Sequence, residues 1–129
     1  MLKIVYKGAV YVYDCDKNLV EGTIVTFEGN RRVRLCTSED IPIGFVCQGR
    51  DELFGVKTVG VALGQAEYVT DKFERSTYKL NDFIYCSDRG IITNEKIYKG
   101  NIIIGIVNNI PNADEIGFIT CFARNIERN

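Results

Sequence analysis

The sequence predicts a mainly β protein: a single domain folded as a β-barrel or sandwich from two pseudo-repeated β modules, with at most one short helix. Short apolar runs recur along the chain with turn-forming residues between them, which is typical of barrels and sandwiches. The strands do not alternate with long helical segments, so the sequence gives no support for a parallel sheet. In addition, one apolar run has a second copy downstream, the signature of an internal duplication.

The repeated run reads IPIGFV at 41–46 and IIIGIV at 102–107. Its glycines and its last valines lie 61 residues apart, at 44 and 105 and at 46 and 107. Upstream, AVYVYD at 9–14 matches AEYVTD at 66–71 with a separation of 57 residues. The second copy therefore contains four extra residues (61 − 57) between the two matched stretches.

The duplicated unit defines the expected organisation of the domain. Module one covers about 9–46, module two about 66–107, and a C-terminal strand about 116–123 follows them. The repeated run is apolar throughout, so in both copies we expect a strand buried on two faces. Its glycine marks a position where a neighbouring backbone or side chain comes close.

The first half of the chain is expected to contain four strands before the repeated run, at 2–7, 9–13, 22–27 and 32–36. Residues 2–7 alternate apolar and polar, the pattern of a half-exposed strand. The last two strands flank a turn at 28–31 and form a hairpin, with Val33 and Leu35 directed inward.

Between and within the copies, the sequence predicts an exposed loop at 49–55 and a glycine-punctuated strand at 56–64. Residues 65–78 carry apolar residues at helical spacing, but their first half corresponds to the strand at 9–14, so any helix is confined to about 72–77. Module two is then expected to form strands at 83–87, 91–93 and 102–107, followed by a loop at 109–114.

Composition narrows the classes of function. The net charge of the 129-residue chain is −1, and so small a charge indicates neither a nucleic acid nor a membrane surface as its partner. We see no signal peptide and no apolar run of membrane-spanning length, so we expect synthesis in a cytoplasm. Five cysteines, an odd number without a C-x-x-C pair, indicate buried reduced thiols. They are Cys15, Cys36, Cys47, Cys86 and Cys121.

The residues offer little for catalysis, and we expect neither an enzyme nor a cofactor or metal site. The chain contains no histidine, the commonest general base and metal ligand. Acidic pairs at 39–40, 51–52 and 114–115 fall in polar turns, whereas a general acid requires a desolvated carboxyl. The stretch 14–18 resembles the start of a calcium loop, but Leu19 replaces its glycine and Val25 its glutamate.

Two groups of residues are candidates for contact with a partner. Leu53 and Phe54 in a charged loop, and Phe73 in the insertion, are apolar groups in polar surroundings, as at many interfaces. The basic cluster Arg31, Arg32 and Arg34 has two interpretations: a hairpin that contacts phosphates on a single-strand nucleic-acid-binding barrel, or the solvated face of a strand. The nearby acidic loops and the low net charge favour the second interpretation.

The two modules together resemble the capsid-decoration, or head-cementing, proteins of tailed bacteriophages and related small virion structural proteins. Three features carry the resemblance, and the first is a short β chain that starts at Met1. The second is a stretch before a glycine turn in each module, EGTIV at 21–25 and NDFIY at 81–85. The third is the run that closes each module, PIGFV at 42–46 and IGIV at 104–107.

The resemblance implies a non-enzymatic protein that binds the assembled shell of major capsid protein, or another virion protein, and stabilises that shell. It also implies a symmetric homo-oligomer, expected to be a trimer, located on the capsid surface of the virion. A tail or baseplate structural protein is the alternative within the same class.

Overall fold

The mainly β fold class is confirmed by a computed structural model, which describes residues 2–53, 56–97, 99–122 and 124–125, with the backbone alone for 50–53. Its strands are β1 (Leu2–Lys7), β2 (Val10–Asp14), β3 (Ile24–Gly29), β4 (Arg32–Leu35), β5 (Gly44–Leu53), β6 (Val56–Ala62), β7 (Ala66–Thr70), β8 (Phe83–Cys86), β9 (Ile92–Thr93), β10 (Gly105–Asn112) and β11 (Glu115–Thr120). The strands form two sheets: β2 to β6 make the first, and β7 to β11 together with β1 make the second.

The two halves have the same strand order. In the first half β2, β6, β5, β3 and β4 follow one another, and a parallel pair between β2 and β4 closes them into a barrel. In the second half the order is β7, β11, β10, β8 and β9, and β1 adds a further strand beside β7. In the barrel, the parallel pair that closes the sheet joins Asp14 to Arg32. At the equivalent place in the second half there is a single parallel bridge, from Phe73 to Ile92. The second half is thus a curled sheet built on the plan of the barrel.

The glycine of the repeated run occupies the same position in both halves. Gly44 pairs with Val25 across β5 and β3, and Gly105 pairs with Ile84 across β10 and β8. A Cβ on Gly44 would overlap the Val61 side chain, and one on Gly105 would overlap a main-chain carbonyl oxygen of β11. The predicted close approach is therefore confirmed in both copies.

Two apolar clusters form the core. The smaller lies inside the barrel, and the larger lies between the outer face of the barrel and the inner face of the curled sheet. Phe45 of the barrel connects the halves, because its ring centroid is 4.7 Å from that of Tyr68 and 5.4 Å from that of Phe118. Since each half buries apolar surface against the other, they share one core and form one domain.

Several predicted boundaries are wrong. The predicted loop at 49–55 continues β5 as far as Leu53, and the predicted loop at 109–114 continues β10 to Asn112. Irregularities in register let the polar and glycine residues of these stretches stay in long hairpins, because pairing with the neighbouring strand outweighs local composition. Residues 72–77 contain no helix, and β11 ends at Thr120 rather than near 123.

Candidate partner-binding surfaces

The three apolar residues predicted to contact a partner lie in different environments. Phe73 belongs to the core: its side chain is 7% exposed, and its ring packs edge-on against Tyr78 at 5.3 Å. That position leaves little of the ring for a partner. Leu53 is the last residue of β5, and its backbone pairs with Val56 of β6. Phe54 lies outside the described residues.

The basic cluster is largely neutralised by nearby acids. Arg32 donates to Asp16 at 2.8 Å, and Arg34 forms a two-pronged pair with Asp40 at 2.7 and 2.9 Å. The Arg31 guanidinium lies 5.2 Å from the centre of the Tyr13 ring. Two of the three arginines are thus paired with acids, an arrangement that is common on solvated strand faces.

Two of the acids in the predicted pairs, Asp40 and Glu115, have lowered pKa values. Hydrogen bonds from Arg34, opposed by partial burial and assisted by Thr37, lower the pKa of Asp40 to about 2. Among the described residues the resolved carboxyl shifts are all downward, and the pKa of Glu115 is lowered mainly by Asn112. A general acid requires a raised pKa. The pair at 51–52, predicted to lie in a turn, belongs to β5.

Strand β1 is an edge strand with apolar side chains in solvent. It pairs with β7 on one side, and within the described part of the chain no strand pairs with its other side. Ile4, Val5 and Tyr6 are all exposed, Val5 to 59%. An unpaired edge presents backbone N–H and C=O groups that a strand from another chain can bind.

The outer face of the second half carries a row of apolar side chains. Paired residues of neighbouring strands point to the same face, so Phe83, Ile106 and Ile119 form one row across β8, β10 and β11. Phe83 is 53% exposed, and the other two side chains are half-buried. Together with Tyr85 and Ile103 they line a groove of about 1070 Å³. We call this the open row.

The sequence-based prediction missed the open row because it treated the repeated run as buried on two faces in both copies. The strand of the first copy begins only at Gly44, and there the prediction of two buried faces is fulfilled, since the successive side chains of Phe45 and Val46 are both buried, in different clusters. In the second copy Ile104 is buried, but Ile103 is exposed and Ile106 is only half-buried. The solvent-facing side of a sheet is normally polar, so apolar residues on both sides of the second copy could have indicated either a second buried face or an exposed apolar one.

Four of the five cysteines are buried, and Cys121 is half-buried at the groove. Within the described ranges no cluster of three or more His, Cys, Asp or Glu side chains could hold a metal ion. Among the described residues, no helix has the length and the apolar sequence needed to cross a bilayer. No family model and no curated protein matches the chain.

Proposed function

We propose that this protein is a non-enzymatic virion structural protein that binds the assembled capsid shell from outside as a homo-oligomer, expected to be a trimer, and stabilises it. The observation that carries the proposal is the unpaired edge strand β1 with its exposed apolar side chains. A protein with such an edge is suited to adding a strand to a partner's sheet.

The geometry of β1 indicates how a shell protein would be bound. A partner strand would take backbone hydrogen bonds from the free edge, and alternate side chains such as Ile4 and Val5 would contact it on opposite faces. A register irregularity between Ile4 and Tyr6 bends the edge, which limits regular pairing to a short segment. The Lys3 Nζ atom lies 3.5 Å from a carboxylate oxygen of Glu115 on β11. Since β11 follows β7 in the strand order, this ion pair is on the side of β1 that faces β7 and not at the free edge.

The arrangement of the arginines favours this proposal over the nucleic-acid-binding alternative. Arg32 and Arg34 make hydrogen-bonded ion pairs with Asp16 and Asp40 on the surface of the barrel. The exposed side chains of β1, in contrast, are mainly apolar. A phosphate-binding barrel requires unpaired positive charge beside exposed aromatic rings. A strand-adding surface requires a free edge with apolar side chains, which β1 provides.

The experiment is a co-sedimentation assay with the purified protein and assembled shells from the virus that encodes it. We expect wild-type protein to sediment with the shells and to raise the temperature at which they release DNA. The variant Val5→Lys adds a charge to the edge strand and should weaken shell binding by tenfold or more, about 1.4 kcal/mol. Val20→Lys is the matched control, since Val20 is 50% exposed in a loop.

Two results would overturn the proposal. The first is that wild-type protein stays in the supernatant while the shells remain assembled. The second is retention by purified tails or baseplates but not by shells, which would place the protein in the alternative class. If Val5→Lys and Val20→Lys bind shells equally well, β1 is not the contact and the strand-addition mechanism fails.

A further inference from the structure

We propose that Cys36 and Cys86 form a disulfide-forming site, at which a low-molecular-weight disulfide such as glutathione disulfide oxidises the two thiols and joins the two halves of the chain. The inference goes beyond the proposed function, because the bond lies within one chain and needs no shell. It assigns chemistry to two cysteines that the sequence alone indicates to be buried reduced thiols.

The two cysteines come from different halves of the chain and meet where the halves pack together. Cys36 follows β4 of the barrel, and Cys86 is the last residue of β8 in the curled sheet. Both belong to the apolar cluster between the halves, where they are 0% and 2% exposed. The Cys86 Sγ atom lies 3.5 Å from the main-chain carbonyl oxygen of Cys36. The side chain of one cysteine therefore reaches the backbone of the other.

The two thiols also contact each other. A hydrogen bond with the Cys36 thiol, together with burial, raises the pKa of the Cys86 thiol. Side chains that point toward each other across a short backbone separation are what a disulfide requires. The thiols of Cys47 and Cys121, in contrast, lie 3.7 and 4.0 Å from main-chain carbonyl oxygens of non-cysteine residues. The structure thus favours the pair of Cys36 and Cys86.

Neighbouring contacts hold the two backbone segments beside each other. Ser38 and Asp88 each lie two residues beyond one of the cysteines, and a carboxylate oxygen of Asp88 accepts hydrogen bonds from the Ser38 N–H, at 3.1 Å, and from its hydroxyl. The N–H of Ile24, whose carbonyl oxygen accepts from the Cys36 N–H, donates to the carbonyl oxygen of Gly90 at 2.8 Å. The folded chain therefore brings the two sulfurs together before any bond forms, which lowers the entropy that bond formation still has to remove.

The reaction is an exchange of thiols with a disulfide. One thiol loses its proton, and its sulfur attacks the small disulfide and releases one small thiolate. The second thiol then loses its proton, and its sulfur attacks the mixed disulfide and releases the other small thiolate. The protein exchanges two S–H bonds for one S–S bond, and the small disulfide is reduced to two thiols that take up the two protons.

Burial sets the rate of this reaction. The attacking species is the thiolate, and the raised pKa of Cys86 keeps that thiol protonated in the folded protein. The small disulfide also has no access to a site that is almost fully buried. We therefore expect slow oxidation of the native protein, and fast oxidation while the chain folds or when urea opens the contact between the halves.

The bond should stabilise the protein, because the two cysteines are 50 positions apart in the chain. A cross-link over so long a loop restricts the unfolded chain strongly. We expect the oxidised protein to melt about 10 °C above the reduced protein. Thermal melts of the same preparation with and without a strong thiol reductant measure this difference.

The test is a map of the bonds formed when the purified full-length protein refolds from urea with reduced and oxidised glutathione. Cleavage after glutamate separates all five cysteines, with Cys36 in fragment 29–39 and Cys86 in fragment 75–95. We expect mass spectrometry to find these two fragments linked, as the main linked pair, and separate after reduction. Cys36→Ala and Cys86→Ala should each lose both the linked pair and the redox-dependent shift in melting temperature. Cys121→Ala is the matched control and should keep both.

Three results would overturn the proposal: refolded wild-type protein in which fragments 29–39 and 75–95 are not linked, another pair of fragments as the main product, or equal melting temperatures for the oxidised and reduced protein. The fragment map uses the wild-type chain, so it decides the question even when a variant fails to fold. Shell binding is measured separately. A linked protein that ignores shells refutes the proposed function alone, and a shell-binding protein without the bond refutes this inference alone.

Discussion

The glycine of the repeated run should be the position least able to accept a methyl group. A Cβ on Gly105 would overlap the carbonyl oxygen of Ile119 and lie 3.0 Å from the carbonyl carbon, atoms of the neighbouring strand that cannot rotate away. Relief requires β10 and β11 to separate. Overpacking costs about 1–3 kcal/mol, and each weakened ladder hydrogen bond adds about 1 kcal/mol. We therefore expect Gly105→Ala to reduce the free energy of unfolding by about 3–4 kcal/mol.

The twin position should tolerate the same change better. The Cβ of Gly44→Ala would meet mainly the side chains of Val61 and Leu63, which can adjust, and one carbonyl oxygen at 3.0 Å. We expect a loss of about 1–2 kcal/mol there. Gly49 lies in the same strand, and an added methyl group would have no atom within 4 Å of it, so Gly49→Ala should be neutral or stabilising by up to about 1 kcal/mol.

Urea denaturation and thermal melts of the three variants measure these differences. For a chain of this size 1 kcal/mol corresponds to about 4 °C, so the melting temperature of Gly105→Ala should fall by about 12–16 °C. A value within 1 kcal/mol of wild type, or a smaller loss than that of Gly44→Ala, would show that the strands do not approach as described.

Three further predictions concern side chains with defined environments. The Tyr68 hydroxyl is buried without a hydrogen-bond partner among the described residues, and burial raises its pKa, so Tyr68→Phe should stabilise the protein by about 1 kcal/mol in denaturant titrations; a destabilised variant would imply a partner for that hydroxyl. The pKa of Asp40 falls from 3.8 to about 2 in the fold, so its stabilising effect is complete above about pH 4 and is lost as the pH falls to about 2. Asp40→Asn should therefore cost about 1 kcal/mol at pH 7, after allowance for solvent screening, and much less at pH 2; an equal cost at both pH values would exclude the ion pair as its cause. Finally, a labelled single-stranded oligonucleotide should show no binding in low-salt anisotropy measurements, and salt-dependent binding abolished by alanine at Arg31, Arg32 and Arg34 would restore the nucleic-acid alternative.

The sequence was informative wherever a local pattern has a single structural outcome. Alternation at 2–7 predicts a strand, and β1 forms there, but its side chains from Lys3 to Lys7 are all exposed and the half-exposed pattern is wrong. The matched runs belong to two halves with the same strand order. The inward direction of Val33, which is 1% exposed, follows from its period-two spacing. Leu35, also predicted to point inward, is partly exposed beside Gly90, because inward-facing positions at the end of a strand reach the barrel's rim.

By itself, then, the sequence determined the β class, the duplication, the close approach at Gly44 and Gly105, and the absence of histidine chemistry. Only the tertiary structure decided which faces are covered. Ile106 and Phe45 occupy equivalent places in equivalent strands, yet one is half-buried and the other is fully buried. The reason is that burial depends on what packs against a strand from elsewhere in the fold, and one half of the chain can cover only one of two equivalent rows.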